Sequence, residues 1–212
     1  MREVRSISEG MDLQRRLADY SIARLDGQAI PADLNALLSA IWGDASFPGS
    51  EDDPCTIFDV RLLQPGQTHP LLSNDYLTDA DRANPAIMAN VEAMNATSAL
   101  CCFVFVTDDG ELVGYWRGPD RLELDKAPIV RLDTEGQYDL LPGRTVLQAL
   151  YLLMKRGYLA ERLEPARRAL AKLGVSATDA ELAIAETDGR AAAISPGDYR
   201  KRLYTERRKP QS

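Results

Sequence analysis

Asp108-Asp109-Gly110-Glu111 sets three carboxylates in one short segment, a residue set that suits either a cation loop or an acid–base pair. A calcium loop of the EF-hand kind needs acids at its first, third and fifth positions and a closing Glu at the twelfth. Counted from Asp108, the third position is Gly110 and the fifth is Leu112, so that pattern fails. The segment instead separates two runs of high strand propensity, 100–107 and 112–116. Asp-Gly between such runs predicts a hairpin, because Gly adopts the turn's backbone angles at low cost. The acids of this segment are expected to face solvent.

Other chemistries find less support. The single histidine, His69, sits in a Thr-His-Pro loop. A zinc site would need further nitrogen or sulfur ligands, and a Ser-His-Asp triad would need a Gly-x-Ser-x-Gly elbow that the chain lacks. Neither a P-loop nor Gly-x-Gly-x-x-Gly occurs. Of the three cysteines, Cys101 and Cys102 are neighbours in a strand-like run and point to opposite faces, and Cys55 stands alone. With no Cys-x-x-Cys, all three read as small buried hydrophobes in a reducing compartment. The 32 acidic residues guarantee chance neighbours, but none falls in a recognisable catalytic frame. No cofactor and no metal is called for.

Composition narrows the class of partner. At 45% hydrophobic and 27% charged, the 212 residues have the make-up of an ordinary globular protein. No apolar run approaches the roughly 18–20 residues that span a bilayer, and the charged first residues lack the apolar centre of a signal peptide, so a cytoplasmic chain with no membrane partner is expected. The net charge of −7 is unevenly spread. Residues 1–154 hold 12 Lys and Arg against 24 Asp and Glu, a balance of −12, and residues 155–212 hold 13 against 8, a balance of +5. An acidic body disfavours nucleic acid and favours basic partners. The basic stretch 200–209 fits a helix C-terminus, or a segment docked on the acidic body, better than a nucleic-acid site.

The elements that would position these residues follow from periodicity. A first helix is predicted over 12–25, with Leu13, Leu17 and Tyr20 on one side and Gly27 as its stop. A second begins at Pro31, carries Leu34, Leu37, Leu38 and Ile41 at helical spacing, and ends at Gly43. Residues 44–54 read as an exposed acidic loop, 56–62 as a strand, 84–94 as a short helix, 128–133 as a third strand after the hairpin, and 145–159 as a Leu-rich helix packed on the sheet. Beyond 160, short helices joined by Gly174 and Gly189 are expected, one of them opened by a capping box of Ser176, Thr178 and Glu181. The expected architecture is α+β, with a central mainly antiparallel sheet flanked by helices (1–159) and a C-terminal helical appendage (160–212) packed on it.

The order of these pieces resembles the SUKH superfamily. Ile30-Pro31-x-Asp33-Leu34-x-x-Leu37-Leu38, ending at Trp42-Gly43, is similar to that family's opening helix. Asp108-Asp109-Gly110 leading to Tyr115-Trp116 resembles its acidic hairpin, and Pro128-Ile129-Val130-Arg131-Leu132-Asp133-x-Glu135-Gly136 its next strand, before a closing helix over 145–153. The resemblance covers about 12–155. The span 44–99 is longer than the pattern, and nothing beyond 160 belongs to it. The resemblance implies the α+β fold above and a non-enzymatic protein-binding role. Most bacterial members are inferred immunity proteins that neutralise toxins such as nucleases or deaminases, and fungal members are scaffolds regulating cell-wall synthesis. It brings no catalytic residues.

An immunity protein facing a basic toxin is therefore the expectation. Its candidate contacts are Glu51, Asp52 and Asp53 in one loop and Asp75, Asp79 and Asp81 in another. Trp42 or Trp116 could anchor the partner, although each suits a core position better. Alternatives are a regulatory scaffold, or a cytoplasmic hydrolase using paired carboxylates in a cleft between body and appendage.

Overall fold

The structure is a computed structural model that describes residues 2–156, 160–176, 178 and 193–208 (backbone only for 2–10 and 160). Its strands are β1 (Val60–Leu62), β2 (Cys101–Thr107), β3 (Leu112–Trp116), β4 (Ile129–Leu132) and β5 (Tyr138–Leu141). They form one antiparallel sheet in the order β1-β2-β3-β4-β5. Its helices are α1 (Arg2–Arg24), α2 (Ala32–Gly43), α3 (Pro54–Ile57), α4 (Asp79–Arg82), α5 (Pro85–Ser98), α6 (Val146–Arg156), α7 (Ala160–Lys172) and α8 (Pro196–Arg207). The α+β architecture expected from the sequence is thus present.

Helices cover both faces of the sheet. On the first, Leu17 and Tyr20 of α1, Leu34, Leu37 and Leu38 of α2, and most of α6 pack against Val104, Phe105, Val113, Tyr115 and Ile129. On the second, Phe103, Val106, Leu112, Trp116, Val130 and Leu132 form a smaller core, roofed by α5 and α8. Strands buried on both faces read as continuous apolar runs, which is why β2 and β3 show no polar alternation. The expected appendage is divided between the two layers. Ala166, Ala169 and Leu170 of α7 are fully buried in the first core. α8 lies against α5 and β5, where Arg200 donates to the Gly136 carbonyl and to Asn90 Oδ1 (3.0 Å for the latter) and Arg207 pairs with Glu92 at 3.2 Å. The basic stretch therefore docks on the acidic body. Glu181 of the expected capping box and Gly189 lie outside the described residues.

A β-bulge shapes the centre of the sheet. Phe103 pairs with Gly114 and Phe105 with Val113, so Val104 has no partner on β3. Val104 and Phe105 consequently both face the first core.

Four elements depart from expectation. The first helix, expected from residue 12, already begins at Arg2. The strand expected over 56–62 is only Val60–Leu62, because Asp53 caps a helical turn that starts with Pro54. The chain then reverses through Asp59, at φ +51°. β5 is an addition to the expected strands; its two central residues are exposed and no apolar alternation marks it. The turn of α4, opened by a capping box between Thr78 and Asp81, is likewise an addition.

Asp33 locks α2 to α6. Its Oδ2 accepts from the Leu147 N–H at 3.2 Å, beside the Thr145 hydroxyl that accepts from Gln148 N at 3.2 Å, so two side chains satisfy the first turn of α6. Asp33 is 5% exposed, and burial pushes its carboxyl above the usual range against the opposing pull of the Leu147 hydrogen bond. Asp33→Ala is expected to cost about 1–2 kcal/mol in urea denaturation, the worth of a lost cap. Asp33→Asn keeps the acceptor and should lose less. An acid whose folded pKa is raised weakens the fold as pH climbs past its unfolded value of about 4. Between about pH 4 and 7 the stability gap between Asp33→Asn and the parent should therefore shift in favour of asparagine.

Candidate functional site: an acidic sheet end beside an open strand edge

The meander gathers three chain reversals at one end of the sheet. The β2–β3 turn is a hairpin in which Gly110, at φ +84°, donates to the Thr107 carbonyl at 2.9 Å. The β4–β5 turn lies next to it, since a Cβ placed on Gly110 would stand 3.8 Å from Thr134 Cγ2. The entry to β1 completes the group, with Asp108 N–H donating to the Asp59 carbonyl at 3.0 Å. Residues far apart in sequence thus present Asp59, Asp108, Asp109, Glu111, Asp133, Glu135 and Asp139 together.

Some of this charge is compensated. Arg131 bridges Glu111 at 3.4 Å and Asp139 at 2.7 Å, and Arg162 pairs with Asp59. Asp133 Oδ1 accepts the N–H groups of Glu135 at 2.9 Å and Gln137 at 2.7 Å, a turn role, while its charge adds to those acting on Arg131. Asp108, Asp109 and Glu135 are exposed, and among the described residues none of them forms an ion pair. The expectation that the hairpin acids face solvent holds for Asp108 and Asp109.

The candidate contacts chosen from sequence do not form one surface. Asp52 pairs with Lys172 of α7, on the first face of the sheet. Asp79 and Asp81 lie in α4, which packs on α5 over the second. Glu51 and Asp75 are exposed. Asp53 is not an exposed charge: it is 4% exposed and accepts from Gly49 N at 2.9 Å, Cys55 N at 2.9 Å and the Thr56 hydroxyl at 3.3 Å. Asp81 is half-committed, because hydrogen bonds from the Thr78 hydroxyl and N–H hold its carboxyl below the usual range. The acids of 108–109 and 133–135 carry turn signals in the sequence, but nothing local announces that the two turns touch.

The remaining reactive groups serve the fold. Burial pushes the Cys102 thiol up to about 12 and raises Cys55 and Cys101 as well, leaving neutral thiols. His69 Nδ1 accepts from Leu71 N at 3.3 Å, and burial together with the charge of Arg61 lowers its pKa, which favours that neutral acceptor. Trp42 is half-buried, with Tyr20 at 5.6 Å and Arg16 stacked at 4.9 Å, whereas Trp116 is wholly buried.

Beside the acidic end runs a groove of about 580 Å³ along β1, with Ile41 and Pro48 on the α2–α3 side and Gln64 and Gln67 on the other. The fold and site together define an α+β protein in which an antiparallel sheet is held between helical layers and its turns carry unpaired acids. No protein-family model, no curated protein and no solved structure matches the chain.

Proposed function

We propose that this chain is a non-enzymatic protein-binding module that meets a basic surface of its partner and, following the resemblance to SUKH domains, an immunity protein that neutralises a toxin. The observation that carries the reading is the unpaired acid at the sheet end: Asp108, Asp109 and Glu135 project from turns held rigid by the sheet, with Asp133 between them. Fixed charge on a rigid frame steers a basic partner at little entropic cost and raises the association rate in a salt-dependent way. A nuclease cleft built to hold phosphate would present such a surface.

The test is capture from the native cytosol, followed by co-expression with the toxin encoded beside the gene. Asp108→Asn with Asp109→Asn is expected to slow association by about tenfold at low salt, while the urea midpoint stays within about 0.5 kcal/mol of the parent, as surface substitutions do. The matching pair Asp75→Asn with Asp79→Asn should slow it less. Failure of the chain to rescue growth, together with no charge-dependent partner in the cytosol, overturns the reading.

A further inference from the structure

We infer that the free edge of β1 is a strand-addition site that takes an extended segment of the partner, apolar at alternate positions and carrying lysine or arginine where it passes Asp108. The inference rests on the binding-module reading and supplies its mode of recognition.

The ladder fixes which groups are open. Asp108 N–H donates to the Asp59 carbonyl at 3.0 Å and Leu63 N–H to the Val104 carbonyl at 2.9 Å, so residues 59, 61 and 63 face β2. In an antiparallel pair the intervening residues point the other way. Val60 and Leu62 therefore direct their backbone groups into the groove. The Gln64 side-chain amide reaches the Leu62 carbonyl at 3.3 Å. The Val60 N–H, the Val60 carbonyl and the Leu62 N–H have no protein partner among the described residues.

These are not groups on an open surface, since Val60 is 4% and Leu62 9% exposed. Sheltered backbone groups are almost always paired, and each left unpaired costs about 1–3 kcal/mol unless water serves it. The other edge of the sheet is handled differently. There the first turn of α8 sits on β5, with a Cβ placed on Gly197 3.7 Å from the Tyr138 carbonyl. That edge is covered at Tyr138 and open at Leu140, which is 38% exposed, whereas the β1 edge lies in a groove.

The groove selects its occupant. Lined by Ile41 and Pro48 as well as by Gln64 and Gln67, its roughly 580 Å³ suits a single extended chain rather than a second sheet. Ile41, Pro48, Val60, Leu62 and Val106 line it beside polar Thr56, Asp59 and Arg61, which suits a strand with apolar residues at every second position and polar ones between them. Two exposed charges of the groove lack an ion pair among the described residues, Asp108 at one end and Arg61 within β1, so the cation on the incoming chain is set at Asp108 and excluded beside Arg61. Backbone pairing supplies affinity, and the lining and the acid supply selectivity.

The probe is a soluble eight-residue peptide of alternating valine and threonine ending in two lysines, added to the full chain. Hydrogen exchange at the Val60 and Leu62 amides is expected to slow by about tenfold or more at saturation. N-methylation of one alternate set of peptide residues should lower affinity by about tenfold, and methylation of the other set should change it little, because only one set faces β1. Asp108→Asn should weaken the lysine peptide severalfold and leave a lysine-free version unchanged. No binding at millimolar peptide, unchanged exchange at both amides, or equal losses from the two methylation sets would each overturn the inference. A captured protein that shields the turns but leaves those two amides unprotected overturns the edge site alone. A chain that binds the peptide but captures and neutralises no protein overturns the immunity reading alone.

Discussion

Gly114→Ala is expected to cost about 3 kcal/mol or more, the upper range for overpacking. A Cβ at this position would stand 2.1 Å from the Cys102 carbonyl oxygen and 2.6 Å from Phe103 Cα, both backbone atoms of the neighbouring strand. A flexible side chain could swing aside, but β2 cannot, because it is paired on both edges, to β1 and to β3. Gly114 pairs with Phe103 at the bulge that turns both Val104 and Phe105 into the first core. Relieving the clash by moving β2 would disturb that core as well. Gly27→Ala is the natural control. Gly27 has φ +71° and no atom within 4 Å of an added methyl, so its cost is backbone strain alone, about 1–2 kcal/mol. Urea denaturation of the two variants checks the contrast. If the loss in Gly114→Ala is no larger than that in Gly27→Ala, close strand approach is not what requires glycine there.

How much of this is legible in the sequence depends on whether the deciding contact is local. The hairpin at Asp109-Gly110 and the core face of α2 follow from neighbours within one turn, and both are found as expected. The sequence pattern overstates β1, because the competing signal, Asp53 capping a helix opened by Pro54, lies in a stretch already rich in turn formers. β5 is hidden because exposed Asp139 and Leu140 interrupt its pattern. Arg117 shows the limit. The sequence presents only Trp-Arg-Gly-Pro, yet its 7%-exposed side chain pairs with Asp26 at 2.5 Å and donates to the Leu122 carbonyl at 2.9 Å. Asp26 stands 91 residues away and holds its place through a left-handed conformation at φ +53°. The acidic end of the sheet is hidden in the same way. Strand order brings the 108–111 and 133–136 turns together, and no window on the sequence contains both.

Trp116 carries the second large effect and separates core from binding surface. It is fully buried in the second core, its indole N–H donates to the Ile194 carbonyl at 2.9 Å, and its ring lies 5.8 Å from that of Tyr199 on α8. Trp116→Ala should cost about 3–5 kcal/mol by leaving a cavity in a two-sided sheet. Trp116→Phe restores most of the apolar volume but not the hydrogen bond, so its cost should fall to about 1–2 kcal/mol. That residual loss should also be localised. With the bond to Ile194 gone, hydrogen exchange across α8 should accelerate more than exchange in β2 and β3, because this tie and the Tyr199 ring join the α8 segment to β3, while its remaining contacts run to α5, β5 and the β4–β5 turn. Partner association, measured where Trp116→Phe remains folded, should match that of the parent. A large loss of binding with little loss of stability would make Trp116 an interface anchor and contradict its place in the core.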